Sequence, residues 1–560
     1  MIQADDPPIE QKETGEGSSS NRDSFPTGDP MGNGFDRQEI LVTPEAKCRR
    51  FSGATRARSV NASRLMARRQ VGLKQIHQIP LGLSESSAEW MRIKERAVSP
   101  PTSQDPASED SRGLETGQQD HHHFQRRSLV SGLRLRADFA GLDDTSYAPP
   151  DCQLAIGPAH LLAAVNGAWA VFDKSGRQLL RRTFEDLFEN LADHPLLYRP
   201  RVVYDAHRGG WLMGICAVSL DLKHSWFFLA ASAGPDPTGD WWIWALDARS
   251  DASMGGFRPD ALGLAVDAAG IYLTANMFTA HGEFAYAQLR VLTRKDLGTG
   301  GVLHGWDFWQ IRNPDGTPAF GLQPAFHLRS TDGQYLLNAM TGGSGEGEMQ
   351  GLVLWQVVLR ARQAPELARK LIPTPAYRVP PNFLPSKASE GIETGDARLC
   401  QPVYGHGRLW VAQTVRANWG EKRNRAAIQW FEINPKTGFG IQIGTYGAPG
   451  YHYFCPALAI DPAGDLILVF NRASEKDPPS IAYTGRRPED PPNQLRESIE
   501  LLQSSVPGSG PWSLHSAACG APDEPLVWIM GQYAATESDW ATWIGGIDFL
   551  PESAPPTPSP

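Results

Sequence analysis

The stretch CPALAIDPAGDLILVFN (455–471) reads as a strand, a tight turn and a second strand. Its two apolar runs have strand length and carry branched and aromatic side chains. Between them, Asp461-Pro462-Ala463-Gly464 is turn chemistry. Six other segments repeat the plan: DCQLAIGPAHLLAAVN (151–166), RPRVVYDAHRGGWLMGIC (199–216), RPDALGLAVDAAGIYLTAN (258–276), QPAFHLRSTDGQYLLN (323–338), QPVYGHGRLWVAQ (401–413) and HSAACGAPDEPLVWIMGQ (515–532). Their first residues are 48, 59, 65, 78, 54 and 60 positions apart. A repeat of this length, built only from strands, is the signature of a radial array.

A third alternating strand follows most copies, as in AYAQLRVLT (285–293), GLVLWQVVL (351–359), AAIQWFEI (426–433) and WATWIGGIDF (540–549). Three or four antiparallel strands repeated seven times predict an all-β fold, a seven-bladed β-propeller. An open array would expose edge strands, so closure is needed. The segment LRLRADF (133–139) alternates with period two and is expected to supply the outer strand of the seventh blade. The propeller then spans 129–550. A six-bladed ring or a pair of β-sandwiches stays as the alternative, because the second copy ends in Cys216 and the seventh lacks the proline.

Composition divides the chain at the same place. Sixteen of the 17 tryptophans lie after residue 160, the exception being Trp90. Residues 1–128 are dominated by Ser, Gly, Pro, Gln and charge, too little apolar surface to offset the entropy of ordering, and are expected to be a disordered arm. The segment 551–560, PESAPPTPSP, is expected to be a disordered tail. The first 130 residues hold 18 of the 53 Lys and Arg and 18 of the 62 Asp and Glu, so the net charge of −9 belongs to the propeller. An acidic body argues against nucleic acid as its partner. Within the arm, 47–74 carries nine basic residues and no acid, either a solvated linker or a contact for an anionic surface.

No apolar run approaches the ~18 residues of a membrane span. The start, MIQADDPPIEQ, shows no classical signal peptide. The six cysteines form no CxxC, His121-His122-His123 lacks partners at ligand spacing, and neither metal nor cofactor is expected.

In a propeller the innermost strand of each blade lines the central channel, and its neighbour returns to the same face. Two sets of residues should therefore converge at one channel mouth. The openings of the copies are Asp151, Arg199, Arg258, Gln323, Gln401, Cys455 and His515. The ends of the second strands are Asn166, Cys216, Asn276, Asn338, Gln413, Asn471 and Gln532. Buried amides ordinarily satisfy backbone groups between blades, and an unpaired one costs ~1–3 kcal/mol. Two arginines on neighbouring blades need anions. Asp151, Asp260 and Asp396 are candidates from within the chain, and a carboxylate or sulfate ligand is the candidate from outside. Cys400 and Cys455 open neighbouring blades and are read as free thiols. A thiol nucleophile there would use His452 or His515 as its base.

Several of these segments, DCQLAIGPAH with VNGAWAVFDKSG (165–176), RPRVVYDAHRGGWLM, DALGLAVDAAGIYLTANMF (260–278), IETGDARLCQPVYGHGRLWVAQ (392–413) and CPALAIDPAGDLILVFNRAS with YTGRR (483–487), resemble a group of largely uncharacterised bacterial exported β-propellers, sialidase-like in fold. The resemblance covers residues 147–549 and implies an extracellular protein; a cytoplasmic one is the alternative, given the start of the chain. This sequence departs from the group's pattern. Arg199 and Arg258 stand where an Asp is usual, and PWSLHS (511–516) replaces a motif with Arg and Asp. Gly395-Asp396-Ala397-Arg398 is retained. Sialidase chemistry needs an arginine triad, a Tyr/Glu pair and S-x-D-x-G-x-x-W boxes, and Ser330-Thr331-Asp332-Gly333 misses that spacing.

Three functions follow as expectations. The first is a non-catalytic binding propeller that engages a glycan, peptide or protein at the channel mouth or upper loops, with the arm as tether. The second is a glycoside hydrolase or polysaccharide lyase acting at that mouth through Asp396, Arg398, Arg258 and His515. Such an enzyme needs a deep pocket of acids and bases, and aromatic side chains plugging the channel would count against it. The third is a structural component docked through the basic arm.

Overall fold

The structure is a computed structural model that describes residues 41–42, 46–52, 57–65, 77–78, 94, 118–119, 132–143, 145, 147–189, 191–249, 256–328, 333–340, 349–360, 363–386, 388, 390–508, 512–521, 523–537 and 539–551. Seven sheets surround one channel. Blade 1 runs outward through Gln153–Ile156, His160–Val165, Ala168–Asp173 and Gln178–Thr183, and blade 6 through His452–Ile460, Leu466–Ala473, Ser480–Arg486 and Ile499–Gln503. Every neighbouring pair inside these blades is antiparallel. The turn chemistry explains the tight connections: Asp461 Oδ1 accepts from the amides of Ala463 and Asp465, and Asp267 Oδ1 does the same for Ala269 and Gly270.

Blade 7 consists of Ala517–Gly520, Val527–Ala534, Trp540–Phe549 and, as its outer strand, Leu133–Asp143. The two ends of the ring are thereby zipped in antiparallel register from Leu133 opposite Phe549 to Asp143 opposite Ala541. The apolar core is divided among the interfaces between blades. Trp169 of blade 1 meets Trp241 of blade 2 edge-on at 5.9 Å, and Leu154 and Ala163 of blade 1 share a cluster with Trp528 and Met530 of blade 7. Closure is therefore both hydrogen-bonded and apolar.

Blade 4 departs from the repeat. Its innermost strand is only Gln323–Pro324, after which the chain crosses over, and Phe326–His327 pairs in parallel with Val403–Gly405 of blade 5. After this crossing Phe326 lines the central cavity and packs against three separate clusters, those of blades 4 to 6, blades 2 and 3, and blades 7 and 1.

Within the arm, expected to be disordered, five of the described segments are short strands. Lys47–Ser52 pairs with His304–Trp309 as the fifth strand of blade 3, and Leu41–Val42 follows as the sixth. Arg58–Asn61 adds a fifth strand to blade 2, Gln118–Gln119 lies parallel to the outer strand of blade 5, and His77–Gln78 pairs with Tyr147–Ala148. The outer strands offer unpaired amides and carbonyls, and the arm covers them. Three small side chains anchor it, since Ala46, Cys48 and Ala62 are buried. Within the basic run 47–74, Arg49 donates to the carbonyl of Arg249 and lies 3.7 Å from Asp307, so part of its charge is spent on the propeller itself. Residues 66–76, 79–93 and 95–117, His121–His123 and the segment 552–560 lie outside the described residues.

No helix among the described residues is long and apolar enough to cross a membrane.

Candidate functional site at the channel mouth

A repeated backbone irregularity builds the mouth. In blades 2, 3 and 6 the register between the two inner strands jumps, between Tyr198 and Arg201, Asp260 and Gly263, and Phe454 and Ala457. One residue in each jump is left-handed: Arg199 at φ +58°, Ala261 at +52° and Cys455 at +56°, with Asp151 at +55° in the same place in blade 1. Such bulges re-aim side chains, and holding a non-glycine residue there costs ~1–3 kcal/mol. Here they turn the side chains toward the channel end.

Arg199 is the hub. Its Nε donates to Asp260 Oδ1 of blade 3 at 2.8 Å, and its Nη1 lies 3.6 Å from Asp151 Oδ2 of blade 1. Arg201 lies 3.6 Å from the same Asp151 oxygen. On the other side, Arg398 Nε is bound to both oxygens of Asp396, at 2.9 and 2.7 Å, and its guanidinium lies over the Phe320 ring. All three arginines and Asp151 and Asp260 are buried. Burial raises the Asp260 carboxyl, but Arg199 and Arg398 more than offset this and hold it below the usual carboxylate range; Arg398 does the same for Asp396. Both acids are therefore ionised, and three guanidiniums face three carboxylates.

The pairing is incomplete. Nη1 and Nη2 of both Arg199 and Arg398, with Oδ2 of Asp151 and of Asp260, are buried and have no hydrogen-bond partner among the described residues. Below this layer lies a cavity of about 50 Å³, lined by Arg201, Gln323, Gln401, Phe326 and His515. That is room for a few waters, at ~10–15 Å³ each. His515 Nδ1 and Ser516 Oγ are also buried and unpaired.

Asp151, Arg199, Asp260, Asp396, Arg398 and His515 are brought together, and Gln323 and Gln401 line the cavity beneath, Gln401 reaching across to the carbonyl of Leu264 at 3.0 Å. Arg258 is not in the cluster. The bulge of blade 3 falls three residues further on, so Ala261 occupies the place of Arg199, while Arg258 is half-buried with its guanidinium 5.7 Å from the Phe278 ring. Cys455 lies at the mouth, but burial pushes its thiol well up, and it donates to the carbonyl of Ser513. The His515 imidazole is pushed down to about 3 by burial and by Arg201 and Arg398. His452 is stacked on Phe383 at 4.2 Å and accepts from the amide of Ala426. No thiolate–imidazolium pair forms. All six cysteines are free and buried.

The amide set performs the stitching role that buried amides ordinarily have. Asn166 Oδ1 accepts from the Arg199 amide, Asn276 Oδ1 from the Gly321 amide, and Asn471 Nδ2 donates to the Gln532 carbonyl, each linking one blade to the next. Asn338 takes the indole of Trp355, Gln413 donates to Gln429, and Cys216 is a buried thiol beside the Arg199 hub.

Sequence reading missed four participants. Arg201 was visible as the alternate residue after Arg199. Ser513, whose Oγ accepts from the Asp151 amide, sits in the PWSLHS segment. Phe326 reaches the channel only because blade 4 switches sheets. Lys94 comes from the arm, and nothing in its surroundings marks it.

Among the described residues no group of three or more His, Cys, Asp or Glu is placed to hold a metal ion. No family model matches the chain, and no curated protein matches it. Among solved structures, it is similar to a protein of unknown function from Dyadobacter fermentans at 11% identity, covering 75% of this chain and 100% of that one with a TM-score of 0.36. It is also similar to a Penicillium chrysogenum α-L-arabinanase complexed with arabinobiose, at 11% identity over 76% and 99% of the two chains with a TM-score of 0.34. A Trypanosoma rangeli sialidase in complex with the inhibitor DANA is 10% identical, with 62% of this chain covered, 54% of that one, and a TM-score of 0.31. The blade count rests on the strand pairing.

Proposed function

We propose that the propeller is a non-catalytic binding module whose channel mouth engages a ligand bearing a carboxylate or sulfate, on an acidic glycan, a peptide or a protein. The observation that carries this is the one-sided use of Arg199 and Arg398. Each spends its Nε on an internal carboxylate and leaves both Nη groups buried without a hydrogen bond, Arg199 Nη1 having only the more distant Asp151 Oδ2 at 3.6 Å. A guanidinium offers a planar fork matched to carboxylate and sulfate oxygens, and leaving it unmet in a buried place is costly. These nitrogens are closed off from solvent, so engagement opens the mouth and desolvates the acidic group as it enters.

Against turnover stand the neutral His515, the protonated Cys455 thiol and the Phe326 side chain among the residues lining the cavity. General acid–base work needs a group that changes charge near the operating pH. One observation favours the second reading, a carbohydrate-active hydrolase or lyase: three carboxylates, three guanidiniums and His515 converge in one place.

The two readings separate in one experiment. The intact protein is titrated calorimetrically with uronate-containing, sulfated and neutral oligosaccharides and with acidic peptides, and the same mixtures are then assayed for cleavage. Binding that is selective for acidic ligands, reduced at least tenfold in Arg398→Met and unaccompanied by cleavage, supports the module. Cleavage that Asp396→Asn abolishes replaces it with the enzyme. Binding that ignores the ligand's charge removes the role given to the arginines.

A further inference from the structure

Lys94, carried on the amino-terminal arm, is buried at 2% exposure against the segment leading into blade 5. Its Nζ donates to the carbonyls of Pro380 and Gly395, each at 2.6 Å, and to Thr394 Oγ1 at 3.0 Å. The Thr394 hydroxyl spends its own proton on the Pro381 carbonyl at 2.9 Å, so its oxygen meets the amine as an acceptor. Three acceptors converging on one nitrogen call for three N–H donors on a tetrahedral centre. A primary ammonium supplies these, whereas a hydroxyl has one donor and a guanidinium presents a planar fork.

Backbone and side-chain hydrogen bonds within the propeller hold the three acceptors. Phe383 and Ile392 exchange backbone hydrogen bonds, and the Thr394 amide donates to Asn382 Oδ1, which fixes the carbonyls and the hydroxyl in place. Among the described residues, the charged and titratable groups facing the amine include Glu393, Asp396, Cys455 and His452. Burial draws the Lys94 amine down to about 7, with Asp396, Glu393 and Cys455 opposing the fall.

We infer that Pro380, Thr394 and Gly395 form a recognition site for a primary alkylammonium, which the chain fills in cis with Lys94, and that a lysine side chain on a peptide is the ligand class it takes when Lys94 is withdrawn. The inference is independent of the acidic ligand proposed for Arg199 and Arg398.

The test uses the full chain carrying Lys94→Ala and reads the melting temperature against n-butylammonium, n-butanol and tetramethylammonium. A saturable rise with n-butylammonium alone is expected, and none in the unsubstituted protein, whose pocket is already filled. No saturable rise, or an equal rise with n-butanol, overturns the inference. Should Lys94→Ala not fold, Lys94→Met keeps the stem and removes the donors. Amide exchange over Thr394–Arg398 at least tenfold faster than in the unsubstituted protein is then expected, and unchanged exchange overturns the inference. Loss of acidic-ligand binding in Arg398→Met leaves all these readouts untouched, so the two proposals fail separately.

Discussion

Arg199 and Asp260, on neighbouring blades and each about 1% exposed, meet through Nε and Oδ1 at 2.8 Å. Removing one partner of a buried pair leaves the other charge uncompensated, at a cost of ~3–5 kcal/mol, whereas replacing both with apolar groups costs far less. Asp260→Leu and Arg199→Met should each lower the unfolding free energy by about that amount. The double variant should lose clearly less than the sum of the two. Urea unfolding of the four proteins checks this, and strict additivity would mean the pair does not act as a unit.

The mouth should also set the acid limit of stability. The Asp260 and Asp396 carboxyls lie below 3.8 in the folded protein, and His515 at about 3 lies below its usual 6.5. In each case the unfolded chain binds more protons than the folded one, so stability falls as pH falls. The His515 contribution is complete above 6.5 and is lost progressively down to about 3, while the two carboxylates give way only below 3.8. In His515→Gln the slope of unfolding free energy against pH should flatten by up to one proton between pH 6.5 and 4. Curves that run parallel for the two proteins would show that the buried imidazole does not titrate on unfolding.

Gly321 is left-handed at φ +66°, and a Cβ there would stand 2.8 Å from Cγ of Arg398. Gly321→Ala should therefore cost ~1–3 kcal/mol and displace the arginine stem from Phe320. The same substitution at Gly316, also left-handed but with nothing within 4 Å, should cost only the backbone share. Thermal unfolding of both variants gives the comparison, and equal losses would show that the contact with Arg398 contributes nothing to the cost.

Phe326 touches the clusters of blades 4 to 6, blades 2 and 3, and blades 7 and 1, so Phe326→Ala should be felt round the whole ring. A loss of ~3 kcal/mol in a single cooperative transition is expected. Two separated transitions in calorimetry would show instead that the blades are coupled only to their neighbours.

Much of the scaffold was legible because its signals are local. The Asp461–Gly464 turn is read from four residues, and both turn hydrogen bonds are present. The error at Arg258 has a definite cause. Arg258-Pro259 copies Arg199-Pro200 letter for letter, but Pro259 is a paired strand residue opposite Met277 while Pro200 lies inside a bulge. A local motif does not reveal where the register will jump. Phe326 was hidden because its placement depends on a strand changing sheets, and Lys94 because its three acceptors lie 286 to 301 residues away in sequence.

The joining of Leu133–Asp143 to Trp540–Phe549 also bears on how the protein is made. Arg134 and Asp548, 414 residues apart, grip each other within the last sheet. During synthesis the first strand of the ring emerges early and has to wait, unpaired, until nearly the whole chain has followed it. The arm strands on blades 2 and 3 wait a shorter time for theirs, so the amino-terminal region docks in stages as each blade emerges. The ring itself is sealed last, a long-range and therefore slow step in which the open edge of blade 7 is the part most exposed to mispairing.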